Sequence, residues 1–440
     1  MTSEGSEQGF GAKLARMRGD ASYRWHLAKL AISRRLHPGR RLMASICGNF
    51  PIYSQTFVYQ ELVQLQAYGF EVRHAFSFSL PRADLHQAFS ALWSRKVLLA
   101  HDYERHQRDF EYYRERFPER VQVLVEEVAA ASGVSKGELI HHHDFLRGFT
   151  YTRMVEAWRP AWLHSYFFYE RSLYSLIAGW VLEIPRGVSS YADHLLKDYE
   201  LKLVPLHLRL CDVVVATSAR IKEELLSLAP DIDPDKIVVK PNAIDSQHFP
   251  IVQRKSPAEG EPFRLVCVAR IEPKKGLLHL LQAVRILTQE CGRIEPRKGV
   301  EELIEAFREL PELKITLIGG DVDYSPYGKS LRDYLKKTAP DNVTFQDPMP
   351  RPKLLKRIQS ADVCIFPSLL ENWPNTCIEA MSAGRVVIGS KHGGMGEMIE
   401  DGVSGFHVDG RSSADIVRVF RKDLTDSLDR LDELGKQAAI

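Results

Sequence analysis

Short apolar runs and amphipathic runs alternate along nearly the whole chain. RLMASICGNF (41–50) reads as a buried strand opening into a loop at Gly48 and Asn49. SQTFVYQELVQLQAYGF then spaces Phe57, Leu62 and Leu65 at helical intervals and stops at Gly69, and EVRHAFSFS is a second strand. A strand, a helix and a strand in that order predict a parallel sheet. Residues 81–160 break the rhythm: they are charged, read as helical, and are expected to be an insertion. Alternation resumes with AWLHSYF, LYSLIAGWVLE, RGVSSYA, DVVVATS, ARIKEELLSLA and KIVVKPNAID. The polar, proline-containing stretch 246–262 reads as a linker. A second alternating series runs from FRLVCVAR through KITLIGGD, SLRDYLKKTA, NVTFQD, PKLLKRIQSA, DVCIFPS, TCIEAMSAG and VVIGS to GFHV. The expected fold class is therefore α/β, with two Rossmann-like domains facing across a cleft. The first spans 42–250 and the second 258–420, flanked by an arm at 1–41 and a short, truncated C-terminal helix at 421–440. Ligands of such open sheets bind beyond the carboxyl ends of the strands.

One segment is doubled. RIEPKKGLLHLLQAVR (270–285) returns as RIEPRKGVEELIEAFR (293–308), with nine of sixteen positions identical. The first copy follows a strand and the second precedes one. Together they predict one strand–loop–helix–strand unit with an extra loop and helix. Two copies do not make a solenoid.

Composition changes this picture little. A net charge of +2 over 440 residues gives no global case for nucleic-acid binding. The six cysteines lie singly, mostly in apolar runs, and read as buried, reduced thiols of an intracellular protein. No apolar run reaches the length of about 20 residues that a membrane-spanning helix needs, and the first residues do not follow the signal-peptide order. Residues 13–41 do stand apart, with nine Lys or Arg, one acid (Asp20) and interleaved Trp25, Leu27, Leu30 and Ile32. This stretch reads either as a basic amphipathic helix making peripheral contact with an anionic membrane or as a solvated arm.

Chemistry concentrates at 366–397, FPSLLENWPNTCIEAMSAGRVVIGSKHGGMGE. Glu371 falls in a loop after a strand and Glu379 within the next helix. A loop carboxylate can accept bonds from sugar hydroxyls, and the second can hold the two hydroxyls of a ribose. The helix-entrance amides of Asn375, Thr376 and Cys377 can receive phosphate oxygens. Arg270 and Lys275, in another strand-to-helix loop, can neutralise a diphosphate leaving group, and Arg293 and Lys298 repeat their spacing. Gly48 permits a close backbone approach to donor phosphates or simply makes a turn. His164 follows a strand and is a candidate for the acceptor or sugar pocket. Gly319 and Gly320 shape a strand exit. The adjacent His141, His142 and His143 would diverge on a helix, and no Asp-x-Asp sits at a strand end with a partner carboxylate. No metal or other cofactor is expected.

The order VARIEPKKG, IGGD, FPSLLENWPNTCIEAM, GGMGEMIEDGVSGF resembles the retaining GT-B glycosyltransferases of family 4, the glycosyl transferases group 1. FPIYSQTFVYQEL is similar to a segment of members that build exopolysaccharides, and LHSYF, VVATS and VVKPNAID match the family's strand ends. The resemblance covers roughly 42–420 outside the 81–160 segment. It implies that Arg270 and Lys275 bind donor phosphates while Glu371 and Glu379 contact the donor sugar and ribose. It implies transfer of a hexose from a nucleoside-diphosphate sugar to a hydroxyl acceptor with retained configuration. A polysaccharide or lipid-linked glycan is the expected acceptor, in the cytoplasm at the inner face of a membrane. Where the family carries a histidine after VSS, this chain has Tyr191, with His194 three residues on; either would supply the hydrogen bond. A catalytically impaired sugar-nucleotide-binding scaffold and a UDP-sugar epimerase are the alternative readings.

Overall fold

The computed structural model describes residues 42–50, 56–79, 92, 96–99, 101–168, 170–191, 203–244, 249–254, 261–289, 313–321 and 330–439. The basic arm, His194, Cys291 and the second copy of the repeat, with Arg293 and Lys298, lie outside them. The chain divides into two compact units. The first runs to Ala216 and includes Lys222–Val238; the second takes Thr217–Ile221 and everything from Val239 onward.

The first unit is built on a seven-stranded sheet of order β3-β2-β1-β4-β5-β6-β7. Its strands are β1 (Leu42–Phe50), β2 (Glu71–Ser79), β3 (Lys96–Leu98), β4 (Trp162–Tyr166), β5 (Arg186–Ser190), β6 (Val213–Ala216) and β7 (Ile237–Val239). The pairs from β3 through to β6 are parallel. Side chains alternate across β1: Ala44 and Ile46 enter one apolar cluster, Met43 and Cys47 another. Both faces are thus covered, as a parallel sheet requires. Gly48 does not end β1, because the strand continues to Phe50, with Asn49 opposite Phe78 and Phe50 opposite Ser79.

The 81–160 segment, read from the sequence as a helical insertion, also contains a strand. It supplies the edge strand β3, which pairs with β2. Its helices Tyr103–Arg116, Pro118–Ser132 and His143–Trp158 bury Phe110, Tyr113, Leu124, Phe145, Phe149 and Trp158 in the same cluster as Ala44 and Ile46. They are one of the two layers that cover the sheet. The sequence disguises this because the helix Tyr103–Arg116 carries a charged outer face over a narrow apolar stripe, and β3 is only three residues long.

The second unit carries a six-stranded sheet of order β10-β9-β8-β11-β12-β13. Its strands are β8 (Phe263–Val268), β9 (Leu313–Ile318), β10 (Val343–Gln346), β11 (Val363–Phe366), β12 (Val386–Ser390) and β13 (Phe406–Val408), all parallel. Leu265, Cys267, Val363 and Ile365 face one cluster, and Val266, Val268, Cys364 and Phe366 the other. The tail 421–440 belongs to this unit. Leu424, Leu431 and Leu434 are in its core, and the helix Leu431–Ala438 brings Gly435 against the Gly384 carbonyl, where a Cβ would collide. The order of strands reverses between β8 and β11, so the loops leaving these two strands flank the unit's topological switch point.

Candidate donor site

Both loops at that switch point carry the charged residues picked out in the sequence. The loop after β8 contains Arg270 and Lys275 and leads into the helix Leu277–Gln289; the loop after β11 contains Glu371 and leads into the helix Asn375–Ser382. Their backbones touch: the Leu369 N–H donates to the Lys274 carbonyl at 2.8 Å. Gly276 makes this approach possible. Its φ is +67°, and a Cβ there would overlap the Pro367 carbonyl. Gly393, with φ +83°, admits the Glu371 carbonyl in the same way, so the GGMGE segment packs against the Glu371 loop. Asn242, from the KPNAID segment, donates to the Trp373 carbonyl at 3.1 Å and steadies the other side of the loop.

This packing brings together two residues 96 positions apart. The Lys275 Nζ donates to the Glu371 carboxylate, with Ser368 Oγ 3.4 Å from the same oxygen. The lysine side chain is 13% exposed and the carboxylate 21%, so both groups are held yet reachable from solvent. Arg270 is placed differently. It is more than half exposed and pairs with Glu272 of its own loop at 3.1 Å. The cation brought to Glu371 is therefore Lys275.

Glu379 lies in the helix Asn375–Ser382 and is 7% exposed. Burial pushes its carboxyl above the ordinary range, and the Arg351 guanidinium 2.8 Å away pulls it part of the way back. Arg351 is a partner the sequence did not reveal. It stands on a separate helix, Arg351–Gln359, in no recognisable motif. The helix Asn375–Ser382 starts at Pro374, with no side-chain cap and no acid in its first turn. That leaves its positive end open to an anion. The Cys377 amide already donates to the Pro374 carbonyl at 3.0 Å, and the Cys377 thiol is buried, so Asn375 and Thr376 supply the outward amides.

A buried carboxyl with a raised pKa has a thermodynamic signature. The folded chain holds the Glu379 proton more tightly than the unfolded chain does. Stability therefore falls as pH rises from the ordinary value of 4.5 through the raised one. Glu379→Gln removes that fall. Arg351 is nearly half exposed, so losing its partner costs little. We expect the variant to melt at or above the wild-type temperature at neutral pH and to bind a nucleotide sugar roughly tenfold more weakly. Melting curves from about pH 4 to pH 8 with parallel donor titrations check both halves.

In the first unit, His164 is on β4, buried, with Nε2 2.8 Å from Ser189 Oγ. Tyr191 follows β5 and donates to Glu61 Oε2 at 3.1 Å; Tyr166 donates to the other oxygen at 3.2 Å. Glu61, the glutamate of FVYQEL, is thus shared by two tyrosines, a role the motif alone did not suggest. Gly48 lies within β1.

The chain is similar to known proteins. The profile of the glycosyl transferases group 1 matches residues 290–439, starting at the second copy of the repeat. A D-inositol 3-phosphate glycosyltransferase of Arthrobacter sp. strain FB24 is 27% identical over 339 residues, 74% of this chain and 72% of that one. The profile match places residues 290–439 in the glycosyl transferases group 1. The chain also resembles the amylovoran biosynthesis glycosyltransferase AmsK of Erwinia amylovora, 28% identical over 39% of this chain and 38% of that one. The Anabaena protein HepE, solved with UDP and glucose, superposes with a TM-score of 0.61 over 91% of this chain and 94% of its own, at 14% identity. At that identity the likeness shows the fold, which is GT-B. The family 4 glycosyltransferases are transferases of the EC 2.4 class. Among the described residues no helix is long and apolar enough to cross a membrane, and no group of ligating side chains could hold a metal ion.

Proposed function

We propose that this glycosyltransferase moves a hexose from a nucleoside-diphosphate sugar, with UDP as the base carrier, to a hydroxyl of a polysaccharide or lipid-linked glycan, with retained configuration. The observation that carries the reading is the contact of Lys275 with Glu371 at the switch point of the second unit. The bond to be broken joins the sugar to a diphosphate, so a catalyst must hold sugar hydroxyls and stabilise the leaving phosphate within a few ångströms of each other. A carboxylate accepts from hydroxyls, and an ammonium beside it meets the charge that develops on the phosphate oxygen. The open end of the helix Asn375–Ser382 adds two amides for phosphate, and Glu379 has the acceptor oxygens that a ribose diol needs. Arg270 would reach the diphosphate by leaving Glu272, an exposed pair that costs little to break.

The base assignment follows the nucleotide in the HepE complex, and the polymer acceptor follows the resemblance to the amylovoran enzyme. Retention is what membership of the family implies. The test is transfer or hydrolysis by purified protein across UDP-, GDP- and ADP-sugars. We expect release of UDP from a UDP-hexose, with no requirement for added divalent metal. Tight donor binding without turnover in any arm would instead make the chain a sugar-nucleotide-binding scaffold. Conversion of the free UDP-sugar to an epimer would make it an isomerase.

A further inference from the structure

Arg351 stands where the stability of its own helix does not call for it. It is the first residue of the helix Arg351–Gln359, which starts at Pro350 with no side-chain cap and no acid in its first turn. A helix start carries partial positive charge and disfavours a cation. The guanidinium is nonetheless held from two sides. Its carbon lies 4.8 Å from the centre of the Phe249 ring, within reach of cation–π attraction, and Phe249 is buried. Its Nη2 lies 2.8 Å from Glu379 Oε1 on the helix Asn375–Ser382. The carboxylate is buried and the guanidinium nearly half exposed, so Arg351 reaches in from the surface. The strands β11 and β12 and the helix Leu431–Ala438 also pack on the Glu379 helix. Among the described residues they present no charged group to the carboxylate, and Arg351 is its one cation. Glu379 Oε2 is left without a partner among those residues.

An ionised carboxylate offers about four lone-pair sites and no proton. Arg351 occupies one of them and leaves the open oxygen for the hydroxyls of a ribose. We propose that Arg351 is a positioning residue for the donor nucleotide, holding the Glu379 carboxylate so that it reads the ribose diol and disfavours a deoxyribose. The proposal rests on the reading above that Glu379 meets the ribose. Without the guanidinium, burial acts on Glu379 unopposed and pushes its carboxyl further up. A protonated carboxyl loses its charge and turns one acceptor into a donor, so the diol is held more weakly. Ribonucleotide affinity then falls off at a higher pH than in wild type. A deoxyribonucleotide lacks one of the two hydroxyls, gains little from the carboxylate, and is nearly indifferent to Arg351.

UDP, GDP and ADP, each beside its 2′-deoxy form, are titrated into the full chain and its variants between about pH 5 and pH 8. Wild type binds at least one ribonucleotide on the order of tenfold more tightly than its deoxy form at neutral pH. Arg351→Gln brings that ratio close to one and moves the acid fall-off in ribonucleotide affinity to higher pH. Arg351→Lys, which keeps the charge but not the fork, keeps part of the ratio and shifts the fall-off less. Arg351→Gln added to Glu379→Gln loses nothing further. A ratio that survives Arg351→Gln with an unmoved pH profile overturns the proposal. Equal loss of the ribo and deoxy forms overturns it too, because the guanidinium would then act on the phosphates or the base and not through Glu379. Equal binding of the two forms by wild type, or no binding of any nucleotide, removes instead the reading of Glu379 on which the proposal rests.

Discussion

Replacing Lys275 with alanine lowers kcat by about two to three orders of magnitude, the range seen when one preorganised donor to a developing oxyanion is lost. The ammonium is held against Glu371 by a backbone contact that only a glycine at 276 permits, so its position costs no reorganisation at the moment of reaction. The effect falls on kcat more than on KM if the charge matters most when the phosphate departs. Lys298→Ala is the matched control. The family profile begins its match at the second copy of the repeat, whereas Lys275, which contacts Glu371, belongs to the first. If the first copy is the working one, Lys298→Ala leaves the rate within a few-fold of wild type. Initial rates with a UDP-hexose on both variants decide between the copies. A large loss at Lys298 with little at Lys275 would hand the role to the other copy, and small equal losses would mean that neither lysine meets the diphosphate.

Removing the carboxylate of Asp362 is expected to be the most destabilising single change described here. Asp362 is fully buried just before β11. It accepts from the Arg264 amide at 2.8 Å and from that guanidinium at 3.0 and 3.2 Å, and from Arg254 Nη1 at 3.3 Å. Arg254, itself 8% exposed, reaches on to Asp432 in the tail at 3.2 Å. Breaking a buried pair by deleting one partner leaves a stranded charge and costs about 3–5 kcal/mol. Arg264 is partly exposed and can turn to water, so the lower end, about 3 kcal/mol, is the appropriate figure for Asp362→Ala. For a unit of this size that is a fall in melting temperature of roughly 6–12 °C. Asp362→Asn keeps the shape and one acceptor oxygen and should lose less. Thermal unfolding of the two variants beside wild type is the check, and a shift of under about 2 °C for the alanine variant would mean that the arginines find other partners.

The strands of both sheets other than β3 were legible because each is a short apolar run bounded by turn residues; β3, three residues long within a charged segment, was not. Glu371 and Lys275 were legible because each stands in a strand-to-helix loop, where bound ligands meet such sheets. Their contact was not, since it spans 96 positions and depends on how two glycines let the loops close. Arg351 beside Glu379 and Arg254 beside Asp362 escaped for the same reason: each belongs to a segment with no local signature. Tyr191 stood out as a departure from the family pattern, but its tie to Glu61 across 130 positions could only come from the packed structure. The covering helices of 103–158 were recognised as helices, yet their place in the core was hidden by charge on their outer faces.

The Asp362–Arg254–Asp432 chain also bears on where the polypeptide can be cut. A piece confined to 258–420 would keep every strand of the second sheet and lose Arg254 and Asp432, together with Leu424, Leu431 and Leu434. It would carry a bare apolar floor and an acid with one cation fewer, and would be expected to aggregate. A piece that starts before Pro250 and runs through Ala438 retains the whole fastening, and is the natural unit for isotope labelling, for grafting onto another partner domain, or for soaking with nucleotide alone.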